Sequence, residues 1–531
     1  MLEALSGLLM GLFVAILSST VVSTSLPRIV SELGGGQSSF TWVVTASLLA
    51  MTVSTPVWGK FADLFDRKLL VQLSLVVYVV GSILAGLSES TSFLIATRVI
   101  QGLGAGGLTA LVQIVIADLI SPRERGRYAG ILGAIMAVGT AGGPLLGGVI
   151  TDSIGWRWNF YISVPIAAVA IVLLQKTLHL PARPARKVSI DYVGTGLIAS
   201  GISLLLIWVT LAGKQFPWLS TDSVLMVAGA IVLLVAFVLV ELRATEPILP
   251  MGLFRNRTFV LSVAASALIG VSLFGTSVFL SQYMQLARGK SPTESGLLTL
   301  PMVIGSLVAS TIIGQMITRT GIWKRYMVSG SVLMLAGIVG MSTIRYDTSF
   351  VFLALFMGLI GLGIGMTMQN LVLIVQNSVA ARQLGAASSS VSFFRSLGGA
   401  IGVSALGAVL SSRVSTLTSD GLERIGITAS SSGSSSGSIP VLSTLPAPVR
   451  TVVEQAFGEG VADIFLVTVP LAVLAILMIV LLPNRPLGNQ TAAQQLEEER
   501  RSLVPEPAYG VPAAAASEVL RPDALRPEAS R

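Results

Sequence analysis

The sequence predicts an all-α polytopic membrane protein of about fourteen helices, and three observations carry that prediction. The 531 residues are 53% hydrophobic and 11% charged, with a mean hydropathy of +0.82, whereas a soluble globular chain carries roughly 25% charged residues. Aliphatic runs near the ~20 residues needed to cross about 30 Å of hydrocarbon recur along the chain. Polar breaks separate the runs, and their Lys and Arg are unevenly shared between alternate breaks.

Taken in order, the runs place spans near residues 4 to 26, 41 to 61, 69 to 88, 92 to 118, 127 to 150, 159 to 178 and 190 to 211. A second set falls near 222 to 242, 258 to 281, 295 to 318, 326 to 345, 350 to 376, 391 to 411 and 461 to 482, on length and apolar pattern alone. Met1 leads almost directly into the first run, with only Glu3 before it, so no charged leader precedes the span and it is expected to stay uncleaved. With the N-terminus inside, the short inward breaks hold eighteen Lys and Arg; the outward ones hold six, Arg28, Arg157, Lys214, Arg288, Lys290 and Arg345. Short basic loops resist translocation, so both termini are expected on the cytoplasmic side of a cell inner (plasma) membrane. Residues 412 to 460 read as an external loop, in which SSSGSSSG (430 to 437) is a flexible linker and PVRTVVEQAFGEG a short amphipathic surface helix. The tail, 483 to 531, with its LEEERR run, lacks the apolar content for a core and is expected to be disordered.

Composition also excludes whole classes. The net charge of +8 is spread over loops, with no basic stripe interleaved with aromatics, so nucleic acid is not an expected partner. The chain has no Cys, and its single His179 sits among loop basics without a second ligand, so neither a disulfide nor a metal site is expected. No GxxxxGK[ST] loop occurs, so ATP is not an expected energy source. An intramembrane enzyme or receptor needs a clustered nucleophile, acid and base, or metal ligands, within the spans. A purely structural or sensing role leaves the polar residues inside the spans idle.

Two loops echo each other. The one after the second span reads GKFADLFDRK (59 to 68) and the one after the tenth reads GQMITRTGIWKR (314 to 325). Each has a Gly, a polar residue four positions on (Asp63, Thr318), and basics near the start of the next span. Internal repeats of this kind build alternating-access transporters. They divide the chain into a six-helix bundle over 1 to 187, two inserted helices over 188 to 257, and a second six-helix bundle over 258 to 482.

Polar residues inside the spans are the candidate site. Arg98 lies about six residues inside the outer end of the fourth span, roughly 9 Å deep, and is expected to face a cavity or a partner, with snorkelling the alternative. Gln101 and Gln113 continue a polar stripe along the same helix. Gln369 and Asn370 in the twelfth span are candidates for the opposing wall or for interhelical hydrogen bonding. Ser18, about 12 Å from Leu26 along the helix, has a depth comparable with Arg98, so the two can face each other across a cavity. Arg395, near the inner start of the thirteenth span, reads as a residue that snorkels or packs at the gate. Asp63, Arg67 and Asp118 are acid, base and acid near the inner ends of three spans, able to pair in one conformation and separate in another, or simply to fix topology. In the fifth span Gly130, Gly139, Gly143, Gly147 and Gly148 allow close helix approach, and Pro144 frees a carbonyl one turn back; tight packing and a hinge are both open.

These stretches resemble a known family. GKFADLFDRK is similar to the loop signature of the major facilitator superfamily, RVIQGLGAGG (98 to 107) to its fourth-helix motif, and GILGAIMAVGTAGGPLLGG (130 to 148) to the fifth-helix motif of its antiporters. STVVSTSLPRIV, GWRWNFYISVP and SFFRSLGGAIG resemble the fourteen-helix drug:proton antiporter branch, of multidrug efflux type. The resemblance implies the major facilitator fold, two six-helix bundles plus two inserted helices. It implies an inner latch of Gly59, Asp63, Arg67 and Asp118, and a substrate cavity touched by Ser18, Arg98, Gln101, Gln113, Gln369 and Asn370. It implies export of small amphiphilic molecules or drugs in exchange for protons, with no cofactor and with the bilayer as surroundings. Export of lipid or cell-envelope metabolites is the alternative, and the fifth-helix spacing argues against a proton-coupled nutrient symporter. Two departures stand out: Leu64 and Asp66 occupy positions where the family often has Arg and Gly, and Ser18 replaces the acid usual before the Thr-Val-Val pattern. No expected span has Asp or Glu in its middle third, so Asp63, Asp118, another end carboxylate or a substrate group is expected to carry any proton. An Arg98 without a carboxylate is expected to disfavour permanent cations and tolerate anionic, zwitterionic or neutral substrates.

Overall fold

The computed structural model describes residues 2 to 488 apart from 35–36, 121–127, parts of 129–145, 152, 179–190, 213–215, 245–246, 291, 381–382, 426–445 and 485, and beyond 488 only Gln494. Four long helices come first: α1 (Leu2–Glu32), α2 (Gln37–Leu64), α3 (Arg67–Gly86) and α4 (Thr91–Leu119). A partly described helical segment over 128 to 153 precedes α5 (Trp158–Thr177), α6 (Tyr192–Leu211) and α7 (Thr221–Glu241). Then follow α8 (Arg257–Gln282), α9 (Leu300–Thr320), α10 (Lys324–Met341), α11 (Phe350–Ser378), α12 (Leu384–Arg424) and α13 (Ala447–Val480). Among the described residues eleven helices are long and apolar enough to cross a membrane; α1, α10 and the 128 to 153 segment are further helices, consistent with fourteen. Helix starts are capped where donors leave the hydrocarbon: Asp66 accepts from Leu69 N at 2.9 Å, Asp191 from Gly194 N at 2.7 Å and Asn256 from Thr258 N at 2.9 Å.

The two largest hydrophobic cores among the described residues lie one in each half of the chain. One joins α1 to α5 through residues such as Leu12, Leu75, Leu111 and Leu174; the other joins α8 to α13 through Ile269, Met334, Ile360 and Phe465. Lipid offers no hydrophobic drive between helices, so contact depends on small residues that let backbones meet. Gly104 lies against the Tyr78 backbone and Gly361 against the Met302 carbonyl, with no room for a Cβ at either. The hairpin of α6 and α7 packs beside the place where α2 meets α12, through Ile198, Ile202 and Phe237 against Leu48, Phe393 and Ala400.

Three sequence expectations change here. The thirteenth span begins at Leu384, seven residues earlier than expected, because the small residues Gly385 to Ser390 are buried in a helix rather than exposed in a loop. The stretch 412 to 460 is not a loop throughout: α12 continues to Arg424, and the expected surface helix is the first part of α13, starting at Ala447. At 1.5 Å per residue α12 and α13 are about 60 and 50 Å long, well beyond ~30 Å of hydrocarbon. Their protruding parts are tied by Arg413 and Asp463 (2.7 Å) and by Gly421 against Val452; the SSSGSSSG linker lies outside the described residues. The start of the tail is also ordered by contacts, since Asn377 bonds to Pro486 O (3.1 Å) and Gly488 N (2.8 Å), and Leu487 is buried.

Candidate functional site

The candidate residues fall into three groups at different depths. The first is where α2 ends. The Asp63 carboxylate accepts the backbone N–H groups of Gly385 and Ala386, both at 3.0 Å, at the very start of α12. A helix N-terminus has unbonded donors and the positive end of the macrodipole, so it holds an anion well. Arg67, opening α3, lies 3.6 Å from Asp63, forms a close ion pair with Asp118, and donates its Nε to Ala62 O at 2.9 Å. Gly59 packs on Ser389, and Gly385 on Asp63 and the Gly59 carbonyl, so a side chain at either glycine pushes the two helices apart. Ala117 and Leu384 add an apolar contact. Gly59, Asp63, Arg67 and Asp118, the expected latch, thus sit together beside α12. Asp66 is not among them, being the cap of α3.

About one turn deeper, the two halves meet through amides. Gln113 of α4 donates to Gln369 Oε1 of α11 at 2.9 Å, while Gln376 donates to Gln113 O (3.3 Å) and to Ser388 Oγ (2.9 Å). Gln113, Gln369, Asn370 and Gln376 line a cavity of about 20 Å³ together with Ile116, Leu132, Val372 and Leu373. That holds a water but is far below the several hundred Å³ of a drug-sized site. Asn370 turns its amide to Met366 O at 2.7 Å, within its own helix.

Arg98 and Gln101 form the third group, and they do not share that cavity. Gln101 and Gln113 are twelve residues apart, about 18 Å along α4. Arg98 is 5% exposed, donates Nη1 to the Gln101 carbonyl, and reaches Val43 O from Nε at 3.4 Å; Gln101 donates onward to Ser82 Oγ at 2.8 Å. Tyr78 lies beside Arg98, Gln101, Ser82 and Ser18. Ser18 therefore belongs to the same cluster within one half and does not face Arg98 across an open cavity, and Arg98 is not unpaired, although no carboxylate joins it. Among the described residues the Ser18 and Tyr78 hydroxyls are buried without a completed hydrogen bond.

The fifth-span glycines serve α1. Gly139 packs on Ile16, Gly143 on Thr20 and Gly147 on Val21, while Thr20 donates to Gly139 O (2.9 Å) and Ser25 to Gly147 O (3.2 Å). Asn159, from the GWRWNFYISVP stretch, ties Ser25 and Thr151 together at 2.7 Å each. Gly148 is half-buried; Gly130, Pro144 and His179 lie outside the described residues. Glu241, closing α7, is buried and accepts from Ile248 N at 3.2 Å and Leu249 N at 3.4 Å, which ties this end carboxylate to a turn. Of the two readings of Arg395, packing holds and snorkelling does not, but it packs well inside its helix rather than near the start. It is 5% exposed and eleven residues inside α12, a depth visible only once the helix start at Leu384 is known.

A model of the Major Facilitator Superfamily matches residues 8–403. The chain belongs to that family. A 37% identical relative, an uncharacterized MFS-type transporter of Mycobacterium tuberculosis, aligns over 91% of this chain and 70% of its own length. The multidrug transporter protein MdtP of Bacillus subtilis is 35% identical over 86% of this chain and 80% of its own; multidrug resistance protein 3 of the same organism is 33% identical over 76% and 78%. Among solved structures, the proton:xylose symporter XylE superposes with a TM-score of 0.61 at 12% identity, covering 93% of this chain and 98% of that one. The human organic anion transporter MFSD10 gives 0.59 at 15% identity, over 88% and 99%. The protein is thus a multi-pass membrane transporter of the major facilitator fold, with relatives named as multidrug transporters.

Proposed function

We propose that this major facilitator protein exports small amphiphilic molecules from the cytoplasm across the plasma membrane, in exchange for protons, by alternating access. The observation that carries the reading is the set of bonds between the halves: Asp63 on the α12 N-terminus, and Gln113 with Gln369 and Gln376. They are polar and replaceable by water, which suits a gate that opens and closes. The moving bodies are the bundles 1 to 187 and 258 to 482, with 188 to 257 as the insertion, and the basic loops support a cytoplasmic position for the Asp63 end and both termini. In this arrangement the inner gate is shut.

Proton exchange is assigned to the latch. Protonating Asp63 removes the charge that the α12 donors and Arg67 hold, so a proton arriving there weakens the inner closure. Arg98, Gln101 and Ser18 on one side, with Gln369 and Asn370 on the other, become the polar wall of the cavity as the halves part. The names of the multidrug relatives support export, and an exporter of lipid or cell-envelope material uses the same parts.

The test is uptake into energised inverted vesicles of cationic, neutral and anionic dyes, with and without an uncoupler. Uncoupler-sensitive uptake, weakest for a quaternary ammonium dye, is expected. Uptake indifferent to the uncoupler, or intact pumping by a folded Asp63→Asn/Asp118→Asn protein, overturns the proton assignment.

A further inference from the structure

We propose that Arg395 is the core of a second polar site, inside the C-terminal half, that binds the carboxylate or similar singly charged oxyanion of an amphiphilic substrate. Eleven residues from the start of α12 place it about 16 Å along the helix, near the middle of a ~30 Å hydrocarbon layer. The side chain is 5% exposed, yet its only hydrogen bond among the described residues is a long one, Nη2 to Ser392 Oγ at 3.3 Å. Among the described residues Nη1 has no partner and no acid pairs with the group. The other two buried arginines differ: Arg67 has Asp63 and Asp118, and Arg98 has Gln101 and the Val43 carbonyl.

The facing helix is equally unfilled. Ser262 and Ser266 of α8 are buried, and neither Oγ has a partner. They are spaced by four from Gly270, which lies directly on the Arg395 backbone, so all three share the face of α8 that meets α12. Helical side chains lean toward the N-terminus of their helix, as the bond to Ser392 shows. The guanidinium therefore heads toward the level of Ser266 on the parallel α8. Gly398, Gly399 and Gly402 leave no room for a Cβ against Ala267, Phe274 and Val271, which holds the two helices in contact at this level. The SFFRSLGGAIG stretch thus sets a buried cation against the α8 face that carries two buried, unpartnered hydroxyls, with no anion beside it among the described residues.

An unmatched guanidinium in the membrane is costly. A carboxylate repays that by accepting two parallel N–H bonds from the fork, with the serine hydroxyls as further donors. A neutral amide accepts more weakly, and a permanent cation is repelled. This inference rests on the exporter reading only for how the ligand arrives; binding itself is independent of transport.

The experiment therefore measures binding to the purified full-length protein with two probes, pyrenebutyrate and its neutral amide. The wild type is expected to bind the carboxylate ~10-fold or more tightly than the amide, the scale of one charge-assisted hydrogen-bond pair. Arg395→Gln should erase that preference while leaving amide affinity unchanged and the thermal midpoint no lower, because an unmatched buried charge is removed, and Arg395→Lys should keep part of it. Ser266→Ala, which retains the charge, should cost the carboxylate about 3-fold and the amide nothing, and stands in should Arg395→Gln fail to fold. Equal losses for both probes, or none in Arg395→Gln, overturn the proposal. Labelled acetate binding as tightly as pyrenebutyrate also overturns it, by assigning the site to a small free anion. Vesicle uptake of the amide by the wild type tests the exporter reading separately.

Discussion

The loop between α2 and α3 and its counterpart between α9 and α10 share a pattern, a Gly with a polar residue four positions on and then basics, but they meet different surroundings. Asp63 reaches out of its helix to the N–H groups of Gly385 and Ala386 in the other half. Thr318, at the matching position, donates to Gly314 O on its own helix at 3.0 Å. The basics diverge too: Arg67 is 2% exposed and paired with acids, whereas Lys324 ties to the Leu482 carbonyl (2.7 Å) within its own half. One acid and one buried cation therefore turn a repeated loop into a contact between halves. A repeat in sequence sets where a loop lies, and the charge at one position sets whether it crosses to the other bundle.

The sharpest way to break the contrast is Asp63→Asn, which keeps the shape and removes the charge. Losing charge-assisted bonds to the α12 donors is expected to lower energised uptake by ~10-fold or more, with expression little changed; a wild-type rate would sink the latch. Next is Arg67→Ala, which takes the shared cation from Asp118 and Asp63 in a mostly buried setting and should destabilise the purified protein by about 3 kcal/mol in thermal unfolding. Adding Asp118→Ala should recover part of that loss, and strict additivity of the two would show that the pair is not coupled. The smallest effect is expected from Thr318→Val, about 1 kcal/mol or less with uptake within about twofold of wild type. An effect as large as that of Asp63→Asn would make the two loops equivalent after all.

Much of the candidate site was legible because its residues are anomalous in lipid. Arg98, Gln101, Gln113, Gln369 and Asn370 stand out from apolar runs, and the Asp63, Arg67 and Asp118 set stands out by charge. Their grouping was not legible. Depth along one helix cannot tell a residue that faces a neighbour from one that faces a gap, so Ser18 and Arg98 read as opposite walls although both sit around Tyr78. The depth of Arg395 was not legible for a related reason. Gly385 to Ser390 carry little hydropathy, and only packing against α2 shows that they are helix.

By itself the sequence determined that the chain crosses a membrane many times, that its loops favour one orientation, and that its motifs belong to a two-bundle transporter, because hydropathy, loop charge and glycine spacing are properties of residue order. The tertiary structure decided which polar groups meet. It seated Asp63 on the N-terminus of α12, joined Gln113 to Gln369, and left Arg395 without an anion. Each of these depends on two helices far apart in the chain arriving at one depth and one face, which residue order does not specify.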